Sequence, residues 1–315
     1  MKTLITGIAG FAGSHLAELL LDGGDEVSGT ILPGETTRNI ESIKSHVQLF
    51  PCDIRDADAA KSLIARTRPD EIYHLAALAF IPDSIAAPRL TFDINLYGTL
   101  NVFEAARMLE SPPQVLFVGS ADEYGRVRED ELPVTEDNPL RPLNPYSVSK
   151  VSAGMLAYQY GVSTSLRVVR VRPFNHTGPR QSPQFVCSDF ARQIVEAEKG
   201  RRPPQILVGN LKPKRDFTDV RDIVRAYRDI LRRGESVEVY NICSGKAIEI
   251  GEILDLLLEI SGHRFNIVAQ PERARGSDVS EIRGDYGKLR SVIDWNPTIP
   301  LNKTLSDMIE YWRGF

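Results

Sequence analysis

The stretch Gly7-Ile8-Ala9-Gly10-Phe11-Ala12-Gly13 lies near the start of the chain. It follows an apolar run over residues 2–6, which we predict to be a buried strand, and precedes a helical pattern that includes Leu16, Leu19 and Leu20. Glycines between a strand and a helix let the backbone approach a pyrophosphate, and the helix N-terminus supplies N–H donors. The stretch therefore predicts a dinucleotide-binding turn; the alternative is a tight strand–helix turn that binds no ligand.

The end of the second predicted strand, residues 26–32, bears on the choice of cofactor. An Asp or Glu there favours NAD, whereas a nearby arginine favours NADP. The strand ends in Thr30-Ile31-Leu32, with neither, and Arg38 follows a little further on. We therefore expect NADP(H) or NAD(H), with a slight preference for NADP(H).

Further predicted strands at 47–50, 71–75, 114–119 and 165–171 alternate with helical patterns. This order is typical of a doubly wound parallel α/β sheet with right-handed crossovers. Asp53, just past the third strand, can accept the adenine amino group, whereas Asp56 suits a helix cap. Small residues at the end of the fourth strand, Ala76 and Ala77, allow the cofactor to contact the backbone, and His74 is expected to be a packed core histidine.

A site for proton transfer is indicated by the stretch Asn144-Pro145-Tyr146-Ser147-Val148-Ser149-Lys150. Pro145 suits the start of a helix, and residues four apart share a helix face, so Tyr146 and Lys150 are predicted neighbours. An ammonium beside a phenol would lower the pKa of the tyrosine towards neutrality, which suits proton exchange with a carbinol. Ser120, at the end of the fifth strand, would complete the set. The alternative is a solvated Tyr/Lys pair.

The second half of the chain has a looser pattern. Residues 209–220 are basic and then acidic. One interpretation is a solvated loop in which Asp219 caps a helix. The other is a ligand-binding loop in which the guanidinium fork of Arg215 binds a diphosphate. Because no low-complexity linker separates the halves, the two lobes must interleave: residues 1–172 with about 216–245, and residues 173–215 with 246–315.

Composition excludes several classes of protein. The 315 residues carry a formal net charge of −4, which gives no global reason to expect nucleic-acid or membrane binding. Three scattered cysteines are typical of reduced thiols, and the five histidines lack metal-ligand spacing, so no metal site is predicted. No apolar stretch approaches membrane-spanning length, and because glycines interrupt the first apolar run we expect no signal peptide there. We expect a cytoplasmic protein that is mature from residue 1.

Together these motifs resemble the extended short-chain dehydrogenase/reductases that modify nucleotide sugars, over essentially the whole chain. The resemblance implies an NAD(P)-binding Rossmann fold with a smaller C-terminal substrate-binding lobe. It also implies a homodimer formed through the helices at 90–109 and 146–160. The implied cofactor contacts are Gly7, Gly10, Phe11, Gly13, Thr30, Asp53, Ile54, Leu75, Ala76, Ala77, Asn95, Tyr146 and Lys150.

The same resemblance implies the catalytic roles. Ser120 and Tyr146 would hydrogen-bond the sugar oxygen that is oxidised or reduced, and Lys150 would hold the nicotinamide ribose and depress the pKa of Tyr146. Asn175 and Arg215 would contact the sugar nucleotide.

Within that family, the second half is most similar to the branch that contains the GDP-mannose 4,6-dehydratases and the GDP-4-keto-6-deoxymannose reductases. The motifs include Phe174-Asn175-His176, Arg215-Asp216-Phe217 and Tyr240-Asn241. Arg275 matches an arginine that the family uses on the diphosphate. Asp278 stands where a ribose-binding Glu is more usual.

The choice between a dehydratase and a reductase depends on residue 122. Dehydratases of this type have a glutamate two residues after the catalytic Ser or Thr, which acts as the base at C5; here that position is Asp122, one methylene shorter. A reductase needs no such base. The resemblance therefore favours NAD(P)H-dependent reduction of the C4 ketone of GDP-4-dehydro-6-deoxy-D-mannose to a GDP-6-deoxyhexose such as GDP-D-rhamnose. A GDP-mannose 4,6-dehydratase and a nucleotide-sugar 4-epimerase stay open as alternatives.

Overall fold

The computed structural model describes residues 1–270 and 279–315 of the chain. The strands are Lys2–Thr6 (β1), Glu26–Ile31 (β2), Gln48–Pro51 (β3), Glu71–His74 (β4), Gln114–Val118 (β5), Arg167–Pro173 (β6), Asn175–Thr177 (β7), Gln205–Val208 (β8), Lys214–Asp219 (β9), Val239–Ile242 (β10), Ala247–Glu249 (β11), Asn266–Ala269 (β12) and Glu281–Ile282 (β13). The α-helices are Phe11–Asp22 (α1), Ala57–Thr67 (α2), Ile81–Ala86 (α3), Pro88–Phe92 (α4), Gly98–Arg107 (α5), Pro145–Ser163 (α6), Val186–Glu198 (α7), Val220–Arg233 (α8), Ile250–Ser261 (α9), Gly287–Ile293 (α10) and Leu301–Arg313 (α11).

The main sheet has seven strands in the order β10-β6-β5-β4-β1-β2-β3, and each neighbouring pair is parallel. The chain starts in the middle, runs out to β3, and returns across β1 to build the other half. This reversal of strand order beside β1 is the crevice where doubly wound sheets bind ligands. The predicted doubly wound Rossmann fold is confirmed.

Helices cover both faces of the main sheet. One core packs side chains of α1 and α8 against the sheet, among them Leu16, Leu20, Ile223 and Tyr227. The core on the opposite face includes Leu63 of α2, Phe103 of α5 and Ala157 of α6. Since both faces are covered, the central strands β1, β4 and β5 are largely buried, as expected for a parallel sheet.

The helix predicted at 90–109 is interrupted. α4 and α5 are joined by a π-helical turn over Asp93–Tyr97. In that turn the amide of Asn95 bonds both backbone groups of Leu78 and donates to Ser149 Oγ at 2.9 Å. A wider turn re-aims one side chain without ending the helix, which periodicity alone does not reveal.

A smaller unit lies beside the main sheet. β9 is its central strand, flanked by β11 and β13 and paired with β7, while β8 and β12 form a separate two-stranded sheet. α7, α9 and α11 pack around their own apolar core, which includes Phe190, Ile253 and Met308.

The division into lobes differs in two places from the predicted one. β9 belongs to the smaller sheet, although residues from about 216 were placed with the Rossmann half. Conversely, Leu289, Ile293 and Trp295 pack in the core beside α8, although residues 246–315 were placed in the smaller lobe. The cause in the second case is that α10 buries its apolar side chains against α8 and the main sheet.

Candidate active site

The glycine turn joins β1 to α1 and touches two neighbouring strands. Gly7 has a φ of +74°, and a Cβ on Gly13 would lie 2.3 Å from the Gly7 carbonyl oxygen, so both glycines are required by the turn itself. The Gly7 N–H donates to Thr30 Oγ1 at 2.9 Å, and the N–H groups of Leu75 and Ala76 donate to Thr6 Oγ1 at 3.1 Å. The turn is thereby fixed to the ends of β2 and β4.

The first turn of α1 fits a pyrophosphate. Gly10 is its N-cap, and within the described residues no side chain caps this end and none in the first turn is acidic. Uncapped N–H donors at the positive end of a helix dipole suit an anion. Phe11, the first residue of α1, stacks on His176 with ring centres 5.8 Å apart. This contact joins the glycine turn to β7.

The other predicted cofactor residues occupy the same edge of the sheet. Asp53 lies beyond β3 and is bonded by the Arg55 guanidinium at 2.5–3.0 Å, which lowers the pKa of its carboxyl. Ile54 is buried, and Ala77 is half-buried beyond β4. Asn95 is almost wholly buried and fully engaged with Leu78 and Ser149, so its direct role is to fix the loop after β4.

Tyr146 and Lys150 lie in the first turns of α6. Pro145 is its first residue, and the Asn144 side chain caps it by accepting the Ser147 N–H at 2.9 Å. Tyr146 and Lys150 are 7% and 6% exposed, so they are not a solvated surface pair. The Lys150 ammonium donates to the Val118 carbonyl oxygen at 2.8 Å, which ties α6 to the end of β5.

Ser120 is held by a buried network. Its N–H donates to Glu123 Oε1 at 2.9 Å, and its hydroxyl accepts the Asp122 N–H at 3.1 Å. The second oxygen of Glu123 accepts the Arg172 Nε–H at 2.8 Å, and both side chains of this ion pair are buried. Arg172 also donates to the Tyr124 hydroxyl, which donates to Asn241 at 2.6 Å. The network links the Ser120 turn to β6 and β10.

The roles of Glu123 and Arg172 were not predicted from the sequence. That of Glu123 could have been, because Ser120-Ala121-Asp122-Glu123 has the S-x-x-E spacing of a capping box, and this capping box forms in the structure. Nothing in the sequence paired Arg172 with Glu123, which lies 49 positions away.

The electrostatics correct one expectation. Instead of being lowered by Lys150, the pKa of Tyr146 is raised, because burial disfavours the phenolate and the Asp122 carboxylate lies nearby; the Ser120 hydroxyl opposes this in part. Burial lowers the pKa of Lys150 to about 8. Tyr146 is therefore a protonated group at neutral pH, able to give a proton rather than to take one.

The predicted substrate residues lie on the small sheet. Asn175 is exposed at the start of β7 and pairs in register with Phe217, two residues from Arg215 on β9. The Arg215 guanidinium donates to the Val279 carbonyl oxygen at 3.2 Å and interacts electrostatically with Asp122. The structure thus brings Arg215 towards the Ser120 turn. Arg275 and Asp278 lie outside the described residues.

Within the described residues, the histidines and other potential metal ligands form no second site. His74 is a core residue, bonded to Thr6 and Thr99, and burial lowers its pKa to about 3. Among residues 1–270 and 279–315, no group of three His, Cys, Asp or Glu side chains could hold a metal ion. No helix in that part of the chain is long and apolar enough to cross a membrane.

Comparison with known proteins identifies the family. The family model for GDP-mannose 4,6 dehydratase matches residues 4–308. The chain belongs to this family. It is 33% identical to GDP-6-deoxy-D-mannose reductase of Pseudomonas aeruginosa, over 99% of this chain and 97% of that protein. The extended short-chain dehydrogenase/reductase fold inferred from the motifs is thereby confirmed.

Solved structures agree with this assignment. The structure of RMD from Pseudomonas aeruginosa complexed with NADPH matches with a TM-score of 0.86 and 32% identity, covering 100% of this chain and 99% of that one. A UDP-glucose 4-epimerase from Thermus thermophilus complexed with NAD gives 0.89 and 29%, with the same coverage. The fold is therefore shared by reductases and epimerases, and the chemistry has to be argued from the site.

Proposed function

We propose that this chain is an NAD(P)H-dependent reductase of the C4 ketone of GDP-4-dehydro-6-deoxy-D-mannose, forming a GDP-6-deoxyhexose such as GDP-D-rhamnose. The observation that carries the proposal is the pair formed by a buried, protonated Tyr146 and the Ser120 that interacts with it. Reduction of a ketone needs a proton donor, and the Tyr146 phenol, which is protonated at neutral pH, can give its proton to the alkoxide that forms at C4.

Each residue would have a separate role in the reduction. A reduced nicotinamide would supply the hydride to C4. The Ser120 and Tyr146 hydroxyls would polarise the C4 carbonyl, and Tyr146 would protonate the alkoxide. Lys150 would hold the nicotinamide ribose at the end of β5, where its ammonium already lies on the Val118 carbonyl.

The dinucleotide and the sugar nucleotide would enter from different sides. The uncapped start of α1, with Gly7, Gly10, Phe11 and Gly13, would receive the pyrophosphate of the cofactor. Asn175 and Arg215, from the small sheet, would receive the sugar nucleotide. The Arg215 guanidinium, which interacts electrostatically with Asp122, would bind the diphosphate near the Ser120 turn. Arg275 and Asp278 keep their proposed roles at the diphosphate and ribose.

Asp122 favours a second candidate, the dehydratase. It is half-buried beside the Ser120–Tyr146 pair, burial raises the pKa of its carboxyl, and Arg215 opposes that shift. A carboxyl with a raised pKa is a stronger base when ionised, which is the property that proton abstraction at C5 requires. Its side chain is one methylene shorter than glutamate, so reduction is the better-supported reading.

One experiment separates the two candidates. Purified protein is mixed with NADH or NADPH and GDP-4-keto-6-deoxymannose in one tube, and with NAD⁺ or NADP⁺ and GDP-mannose in another. We expect loss of reduced-nicotinamide absorbance in the first tube and no keto sugar in the second. A keto sugar in the second tube would make the protein a dehydratase, and no change in either tube would redirect the search to UDP-sugars and epimerisation.

We also propose that two chains form a homodimer through α4, α5 and α6. Along α6, Val148, Met155 and Val162 recur every seven residues and are 37–59% exposed. Tyr97 and Met108, on the neighbouring segments, are 55% and 57% exposed. Exposed apolar side chains on packed helices are typical of an interface, and a second copy would cover them with the same residues.

A further inference from the structure

Beyond the end of β2, Leu32-Pro33-Gly34-Glu35 forms a tight turn. Proline at its second position and glycine at its third, with a Gly34 φ of +82°, match a type II turn. The Glu35 N–H donates to the Leu32 carbonyl oxygen at 3.0 Å, and the Leu32 N–H donates to Glu35 Oε2 at 2.8 Å. These reciprocal bonds hold the Glu35 carboxylate against the end of the strand.

That strand end adjoins the glycine turn. Thr30, two residues before Leu32, accepts the Gly7 N–H on its hydroxyl and the Ile8 N–H on its carbonyl at 3.2 Å. In doubly wound sheets the end of the second strand faces the adenosine ribose. The slight preference for NADP(H) predicted from the sequence depends on the lack of an acidic residue at the end of β2. The structure corrects that expectation, because the turn folds the Glu35 carboxylate back to this strand end.

Arg38, the arginine that could bind a 2′-phosphate, contacts the last residue of the chain instead. Its guanidinium carbon lies 3.2 Å from the centre of the Phe315 ring, at the end of the chain. Both residues line a cavity of about 230 Å³, together with Asn39, Ser42, Arg180 and Tyr311. The carboxylate is thus fixed to the strand end, while the guanidinium is stacked on an aromatic face, a favourable contact that a phosphate would have to disturb.

We propose that Glu35 selects the cofactor and that this chain prefers NAD(H) to NADP(H). A carboxylate accepts hydrogen bonds from the two hydroxyls of an adenosine ribose, whereas it repels the negative charge of a 2′-phosphate. The inference deepens the proposed function and rests on it for the presence of a dinucleotide site. It concerns dinucleotide binding alone, so it can be tested without the sugar nucleotide.

The test compares dissociation constants for NADH and NADPH, measured by fluorescence titration of the purified full chain. We expect the wild type to bind NADH more tightly by about tenfold or more. Glu35→Gln keeps an oxygen for the Leu32 N–H and removes the charge. It should reduce the NADH/NADPH preference by about tenfold, which corresponds to about 1.4 kcal/mol. Glu41→Gln is a matched control, because Glu41 is an exposed carboxylate paired with Lys44 at 3.5 Å; it should leave the preference unchanged.

The inference would be overturned by a wild type that binds NADPH as tightly as NADH or more tightly, or by a Glu35→Gln protein with an unchanged preference. The inference would also be overturned if Arg38→Ala lost more than about tenfold in NADPH affinity with NADH affinity unchanged. Arg38 would then contribute about 1.4 kcal/mol or more to the binding of the 2′-phosphate and would be the residue that selects the cofactor. A preference for NADH that depends on Glu35, in a protein that does not reduce the keto sugar, would support the inference and refute the proposed reaction.

Discussion

The buried ion pair between Glu123 and Arg172 gives the sharpest prediction about stability. Glu123 uses one oxygen for the Ser120 N–H at 2.9 Å and the other for Arg172 Nε at 2.8 Å. In Glu123→Gln only one oxygen remains, so the amide NH₂ must face one of the two donors. The Arg172 charge, in a residue 7% exposed, is then left without its counter-ion.

The expected cost is large. Removing one partner of a buried ion pair destabilises a protein by about 3–5 kcal/mol. With an unfolding entropy of about 2.1 cal/mol/K per residue, each kcal/mol lowers the melting temperature of a 315-residue chain by about 1.5 °C, so Glu123→Gln should melt at least about 4 °C below the wild type. The assay is thermal unfolding followed by circular dichroism. Glu310→Gln, which breaks an exposed pair with Arg313, is the control and should change the melting temperature little.

A double-mutant cycle decides whether the pair itself is responsible. Arg172→Met alone should also destabilise, because it leaves Glu123 buried and charged. In the double variant Glu123→Gln/Arg172→Met, the Gln oxygen can still accept the Ser120 N–H and no charge remains. Its loss should be smaller than the sum of the two single losses by about 1 kcal/mol or more. Additive losses, or a Glu123→Gln protein as stable as the wild type, would refute the reasoning.

Three further predictions concern chemistry, protonation and assembly. Tyr146→Phe removes the proposed proton donor and should lower kcat by about 10²–10⁴-fold while the fold is kept; a kcat within a factor of a few of the wild type would show that another group gives the proton. Burial lowers the pKa of Lys150 to about 8 from an ordinary 10.5, so between these values the unfolded chain binds more protons and stability rises with pH. Lys150→Met should flatten that rise in melting temperature between about pH 8 and 10, and an unchanged slope would show that Lys150 does not titrate there. Met155→Glu places a charge on the exposed face of α6 and should yield monomers in light scattering, whereas Ile267→Glu, exposed on β12, should leave the dimer intact; a dimeric Met155→Glu protein would rule out this interface.

Much of the fold could be predicted because local signals agreed with the global topology. The glycine turn, the apolar runs, the cap residue Asp56 and the helix-starting Pro145 stand at the element boundaries that they predict. The π-helical turn at Asp93–Tyr97 could not be predicted, since it depends on where Asn95 finds partners in the folded chain. The placement of α10 likewise depends on the long-range contact of its apolar side chains with α8.

The candidate site was partly readable for a similar reason. Ser120, Tyr146 and Lys150 are carried by strand-end and helix-start patterns, and the structure brings all three to the end of β5. The pKa of Tyr146 was not readable, because its sign depends on burial and on the Asp122 carboxylate, whereas the sequence showed only the neighbouring lysine. The role of Glu35 was hidden for another reason: it lies beyond the strand and reaches the strand end only through the Pro33-Gly34 turn.

The central claim is that a hydride reaches C4 of a GDP-linked keto sugar while Tyr146 supplies the proton. The most direct measurement uses reduced cofactor carrying deuterium on the transferred face of C4 of the nicotinamide ring, together with GDP-4-keto-6-deoxymannose. The product is examined by mass spectrometry and NMR. The account predicts one deuterium at C4 of the deoxyhexose for each reduced cofactor consumed, and the same ratio with Tyr146→Phe, whose product forms about 10²–10⁴-fold more slowly. A product without deuterium at C4, or turnover with no net oxidation of the cofactor, would contradict it.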